Sequence, residues 1–225
     1  GELHTLVCTY YNAYASGDVE GLKEITNYVS DTDAISIPQM SKDVEKYPEL
    51  TIYTKEGPVD NSYLAYVYFK MKVTGFEDLI SGMETFYVCT KEDGTLYLNR
   101  GEASDEELEY IQTVSLQDDV VELYNRVTVE CSDTFANNEE LYYYIQEVVN
   151  DVQKATGEEL AAQISAESME ENTTPNEEDV AVDPAQGNEQ EPVDNVTATE
   201  ETGPIYAKAT TTVNVRASDS EKADK

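Results

Sequence analysis

Asn61-Ser-Tyr-Leu-Ala-Tyr-Val-Tyr-Phe-Lys-Met-Lys-Val-Thr-Gly75 alternates with a period of two, and its reading decides the fold. Tyr63, Ala65, Val67, Phe69, Met71 and Val73 share one face of an extended strand; Leu64, Tyr66, Tyr68, Lys70 and Lys72 share the other. The first set predicts burial. The second, with its lysines and tyrosines, predicts the wetter face. Downstream, Glu84–Thr90 and Thr95–Arg100 read as two more strands joined through Lys91-Glu-Asp-Gly94. Asp-Gly between alternating runs is a strong hairpin signal, because Gly94 tolerates positive φ. Leu50 to Gly101 is therefore expected to form a curved antiparallel sheet with one buried face.

Helical patterns flank that sheet. Leu3, Leu6, Val7, Tyr10 and Tyr14 make an apolar stripe over Glu2–Ser16. Gly17 is placed to end that helix in a left-handed cap, and Asp18 to N-cap the next, whose buried face is Val19, Leu22, Ile25 and Val29. Asp31 to Gln39 reads as loop, with a short strand at Ala34–Ile37 stopped by Pro38. Ser41 is placed to cap a short helix ending before Pro48. After the sheet, Ser104-Asp-Glu-Glu107 has the spacing of a capping box for a helix reaching about Gln112. Another helix starts at Ser115 with Leu116, Val120, Leu123, Val127 and Cys131 on one side. Asn137 or Asn138 opens the last, which carries Leu141, Ile145, Val148 and Val152 and closes at Gly157. The fold class predicted is α+β: N-terminal helices packed on a curved antiparallel sheet, a helical C-terminal extension, and a disordered acidic tail.

Charge divides the chain further. It carries 14 Lys+Arg against 47 Asp+Glu, a net charge of −33. Residues 158–203 hold 14 acidic residues and no basic one, and no aromatic occurs between Tyr144 and Tyr206. Such a stretch has little apolar surface to offset the entropy of ordering, about 1–2 kcal/mol per residue for the backbone alone. The expected division is 1–103 for the helix-and-sheet domain, 104–157 for a helical extension of the same folded unit, 158–203 for an acidic disordered linker, and 204–225 for a separate segment. With 30 acidic and 10 basic residues, positions 1–157 are themselves at −20. Neither nucleic acid nor an anionic membrane surface suits that charge, and a cationic partner does.

Two resemblances follow. Tyr10-Tyr-Asn-Ala-Tyr-Ala-Ser-Gly-Asp18, with Leu22 and Ile25, resembles the opening of nuclear-transport-factor-2-like (cystatin-like) domains. That resemblance covers about residues 2–102 and implies a cone, with helices against a bent sheet and often a pocket inside. Helical patterning over 104–156 departs from it, since the family usually closes the domain with strands. The family includes isomerases, dehydratases and many non-catalytic binding domains, so the fold by itself decides no activity. At the other end, Ile205-Tyr-Ala-Lys-Ala-Thr-Thr-Thr-Val-Asn-Val-Arg-Ala-Ser218 is similar to the first strand of bacterial Src-homology-3-type modules, through Val213-Asn-Val-Arg216. What this implies is the incomplete start of a barrel of the kind that binds cell-wall peptides or glycans. A cell-wall component is then the expected partner, through the module beginning near Ile205. The location implied is extracytoplasmic. Because Gly1 leads straight into helix-like sequence, a signal or anchor ahead of it is expected.

Chemistry-bearing residues are sparse. Cys8, Cys89 and Cys131 are three, with no close pair; Cys89 in a strand and Cys131 on a helical apolar stripe read as small core hydrophobes. His4 is the sole histidine and reads as a surface helix residue. Asp31 and Asp33 lack the later positions and the glycine of a calcium loop, so no metal and no cofactor is expected. The 17 tyrosines stand out. Tyr14, Tyr28, Tyr53 and Phe69 are the candidates for lining a ligand pocket, since a phenol joins an apolar body to a hydroxyl. Tyr66, Tyr68 and Tyr97 are placed to make a sheet face for a homodimer. In Tyr142-Tyr-Tyr144 the rings must point to several sides of a helix, so at least one is expected to be exposed or docked.

Among function classes, the sequence favours a non-enzymatic cell-envelope binding or interaction module on an acidic tether. The alternative is a small-molecule isomerase or dehydratase, which needs a carboxylate or histidine aimed into an apolar cavity. Glu84 is the only acid within the predicted strands.

Overall fold

Strand β2 (Tyr63–Val73) lies inside an antiparallel sheet of four strands, in the order β1-β2-β3-β4. The computed structural model describes residues 1–171. Three helices precede the sheet: α1 (Glu2–Ser16), α2 (Val19–Ile25) and α3 (Asp31–Met40). The other strands are β1 (Val44–Glu56), β3 (Leu79–Thr90) and β4 (Leu96–Leu98). Three helices follow: α4 (Asp105–Ser115), α5 (Asp118–Asn137) and α6 (Glu139–Glu171). The architecture is α+β, as the hydrophobic periods imply. The start of the tail lies within α6; its remainder, with the segment beginning near Ile205, lies outside the described residues.

Local chemistry sets several boundaries. Gly17 ends α1 at φ 71°, and a side chain there would press on Ser41 and Pro38. Asp18 caps α2 by accepting from the Gly21 N–H. Gly94 takes φ 87° in the β3–β4 turn. Ser104 and Glu107 form both bonds of the capping box at α4. Asn138 caps α6 through Leu141.

Elsewhere the structure departs from the sequence expectation. Asp31 to Gln39 is helix and not loop or strand. Ser30 caps it by accepting from the Asp33 N–H, two aspartates sit in its first turn, and Pro38 falls near its end. The stretch around Pro48 is strand β1 and not a helix after Ser41; irregular register between Val44 and Glu49 on this edge strand absorbs the proline. α5 begins at Asp118, which leaves Leu116 exposed at the junction. α6 runs through Gly157 to Glu171, because Glu158-Glu-Leu-Ala-Ala favours helix strongly enough to offset about 1 kcal/mol for one interior glycine.

The face expected to be wetter is also a core. Ala65 and Val67, with Ile52, Phe86 and Val88, pack under α1, α2 and the end of α3. On the reverse side Leu64, Tyr66 and Tyr68 are buried beneath Val114, Val120, Leu123 and Val127 of α4 and α5. A third cluster joins Met71, Val73 and Ile80 to Leu141, Ile145 and Val149, so α6 closes one end of the sheet. The surface proposed for a homodimer is thus already covered by helices of the same chain, with Tyr66 and Tyr68 buried and Tyr97 packed at its margin.

Candidate functional site

Glu84 stands directly opposite Val67, on the sheet face that α1 covers. Tyr10 and Tyr11 are adjacent on α1, yet both hydroxyls converge on its carboxylate. Tyr10 donates to Oε1 at 3.0 Å and Tyr11 to Oε2 at 3.3 Å. Aromatic packing fixes both rings. Tyr10 meets Phe86 edge-on at 4.7 Å, and Tyr11 lies 4.8 Å from Tyr47 and 5.4 Å from Phe69.

Burial raises the Glu84 carboxyl above its ordinary range, while nearby Arg100 and the two phenolic donors pull the other way. Burial and the neighbouring carboxylate hold the Tyr10 and Tyr11 hydroxyls well above the usual phenol range. Tyr14, one turn on, is raised by burial and by Glu84 as well. Burial works against the Arg100 guanidinium, but Tyr10, Asp33 and Glu84 outweigh it and keep its proton held more tightly than usual. Its Nη2 lies 3.4 Å from Asp33 Oδ2. One carboxylate, two phenols and an arginine–aspartate pair therefore make one charge cluster beneath α1. Glu84 keeps partial access to solvent. A carboxyl so placed has the raised affinity of a proton-transfer group, but each of its oxygens already accepts a bond from the protein.

The four expected pocket residues do not meet. Tyr14 and Phe69 pack on the α1 side, and Tyr53 packs on the opposite face of the sheet. Tyr28 is 55% exposed and lies against Gly101, where Asn27 and Asn99 tie the α2–α3 connection to the end of β4. No cavity is enclosed by the four together, because strand alternation sends Tyr53 to the other face from Phe69. His4 is exposed on the first turn of α1, 3.6 Å from the Cys8 sulfur. Cys89 is buried; Cys131 is half-buried, its thiol pushed up to about 11 by burial. Asp31 and Asp33 open a helix, and among the described residues no group of three or more His, Cys, Asp or Glu is placed to hold a metal.

Sequence reasoning finds Glu84 but not its partners. Counting by twos from Phe86 and Val88 puts Glu84 inward, and the neighbours Tyr10 and Tyr11 are the aromatic donors within reach. Tyr142 and Tyr143 are exposed, whereas Tyr144 docks by donating to Asp43 at 2.6 Å, which pushes its hydroxyl up to about 12.

Clefts lie away from this cluster. One of about 320 Å³, between α3 and α6, is lined by Lys42, Asp43, Tyr144, Glu147 and Asp151 among others. Two more, of about 220 and 380 Å³, share Leu108 and Ile111 of α4. Among the described residues no helix is long and apolar enough to cross a membrane. No protein-family model matches the chain, and no curated protein or solved structure matches it either.

Proposed function

We propose that the chain is a non-enzymatic binding module of the cell envelope, with the acidic stretch after the folded unit as its tether and the segment from Ile205 as the start of its wall-contacting barrel. The observation that carries the non-catalytic reading is the occupancy of Glu84: both its oxygens accept from Tyr10 and Tyr11, inside packed rings of Tyr47, Phe69 and Phe86. Held between two phenols and packed rings, this carboxylate already has a structural role, tying α1 to β3. The outer surface is then the working one, and its charge points to a cationic partner: residues 104–157 hold thirteen acidic residues against two basic ones, Arg126 and Lys154. The extracytoplasmic assignment rests on the sequence of 205–218.

Co-sedimentation with purified sacculi tests the wall half. A chain extended through a complete barrel is expected to sediment with them, and residues 1–171 are expected to stay in solution. Sedimentation of residues 1–171 alone would move the wall contact into the folded unit. Failure of the extended chain would remove the envelope reading.

A second reading, isomerase or dehydratase chemistry, draws on the raised Glu84 carboxyl. Its mark would be exchange of deuterium from heavy water into simple cyclic ketones, lost in Glu84→Gln.

A further inference from the structure

α4 leaves an apolar ridge in solvent between two clefts. It is anchored by its capping box, by Tyr87 donating to Glu107 at 2.5 Å, by Tyr110 donating to the Glu56 carbonyl at 3.3 Å, and by buried Val114. Leu108, 52% exposed, and half-buried Ile111 are three positions apart and so share a face. The cleft of about 380 Å³ is lined by these two with Asp105, Glu109 and Gln112. The smaller cleft, about 220 Å³, adds Tyr87, Asn99, Arg100, Gly101 and Ala103 to the same two. An exposed leucine alone is ordinary. Here it divides two concavities, and five of the eight residues 102–109 are acidic. Arg100, the base that lines the smaller cleft, is paired with Asp33, and the larger cleft is lined by Asp105 and Glu109 with no base.

We propose that this ridge docks a cationic peptide segment of a partner protein, one that places apolar side chains beside Leu108 and Ile111 and lysine or arginine against Asp105 and Glu109. Charge complementarity selects this occupant. An anionic membrane is repelled by the same acids, and so is the acidic stretch 172–203 of this chain. A second copy of α4 would set Asp105 and Glu109 against their own like charges. The inference rests on the binding-module reading and names its surface.

The test uses the whole chain, isotope-labelled, titrated with a synthetic peptide of alternating lysine and leucine and with its glutamate–leucine counterpart. Saturable amide shifts centred on residues 104–115 are expected with the lysine peptide alone. Leu108→Ser should weaken binding by about tenfold, the transfer free energy of one leucine side chain, and Asp105→Lys with Glu109→Lys should weaken it likewise. Val129→Ser, exposed on α5, should leave it unchanged. All three are surface variants, and their melting temperatures report whether the fold is kept. Four outcomes overturn the proposal: shifts centred on Asp43, Glu147 and Asp151; affinity indifferent to Leu108→Ser, which would mean unspecific polyanion attraction; self-association lost in Leu108→Ser, which would seat a second copy there; or no saturable binding. None of these alters the sacculus result, so the surface and the envelope reading fail separately.

Discussion

Phe69 occupies the space that a side chain at its cross-strand partner Gly82 would need: a Cβ built on Gly82 collides with the ring. The ring itself bridges the core under α1 and the core closed by α6. Glycine is required here for room and not for backbone freedom. Gly82→Ala is expected to cost about 1–3 kcal/mol, the usual range for overpacking. Phe69→Leu in the same chain should recover part of that loss, because the smaller side chain yields the space. Urea unfolding of the two single variants and the double variant measures the coupling; strict additivity would show that the two sites do not touch.

Truncating β2 should be equally damaging on either face. Tyr68 is 8% exposed and donates to Glu130 at 2.8 Å, so it is anchored in its core as firmly as Phe69 is in the other. Phe69→Ala and Tyr68→Ala are each expected to cost about 3–5 kcal/mol. Chemical denaturation of the two checks this; a Tyr68→Ala loss several-fold smaller would mean that α5 covers that face only loosely.

Two glutamates should tilt stability with pH in opposite directions. The Glu84 carboxyl is raised, so between the ordinary carboxyl value and its own the folded chain holds a proton the unfolded chain has released. Stability from this group therefore falls as pH rises through that window. Glu107 is lowered, chiefly by the Tyr87 hydroxyl and the Ser104 N–H. Its contribution is complete above the ordinary value and is lost as pH falls through its folded value. Melting temperatures across pH should flatten on the upper side of the ordinary carboxyl value in Glu84→Gln and on the lower side in Glu107→Gln. The same change from both variants would contradict the assignment.

Gly157→Ala should strengthen the far part of α6 without strengthening the body. A Cβ there meets nothing within 4 Å, and Thr156 is the last buried residue of the helix. The helix beyond should gain about 1 kcal/mol, seen as slower amide exchange over 158–169. The main melting transition is expected to stay within a degree or so, since the packed residues are untouched. A rise in that transition matching the helical gain would show that the far part belongs to the cooperative unit.

Legibility in the sequence follows the strength of local chemistry. The alternation of β2, the Asp93-Gly94 turn, the Gly17 and Asp18 caps and the Ser104–Glu107 box each have one physical solution, and each is found. Tyr66 and Tyr68 mislead, because a tyrosine suits a wet face or a buried one, and only the arrival of α5 decides between them. Pro48 reads as a helix stop, yet an edge strand with irregular register takes it equally well. Ser30 and Asp33 make a cap that the more conspicuous Pro38 overshadows. At the site, Glu84 is visible as an isolated acid; its bonds to Tyr10 and Tyr11 join residues more than seventy positions apart, which no local period reports.

The reach of α6 past Thr156 sets an origin for everything attached after it. From Gly157 to Glu171, at 1.5 Å per residue, the helix runs on for about 20 Å, and residues 157–169 are exposed apart from half-buried Leu160. A segment joined there begins its path at a defined point off the body and not at its surface. An arm of that length would lower the effective concentration, at the folded surface, of whatever is joined to its end. Shortening that arm by whole turns would change how often the two ends of the protein meet while leaving every contact within the folded body as it is.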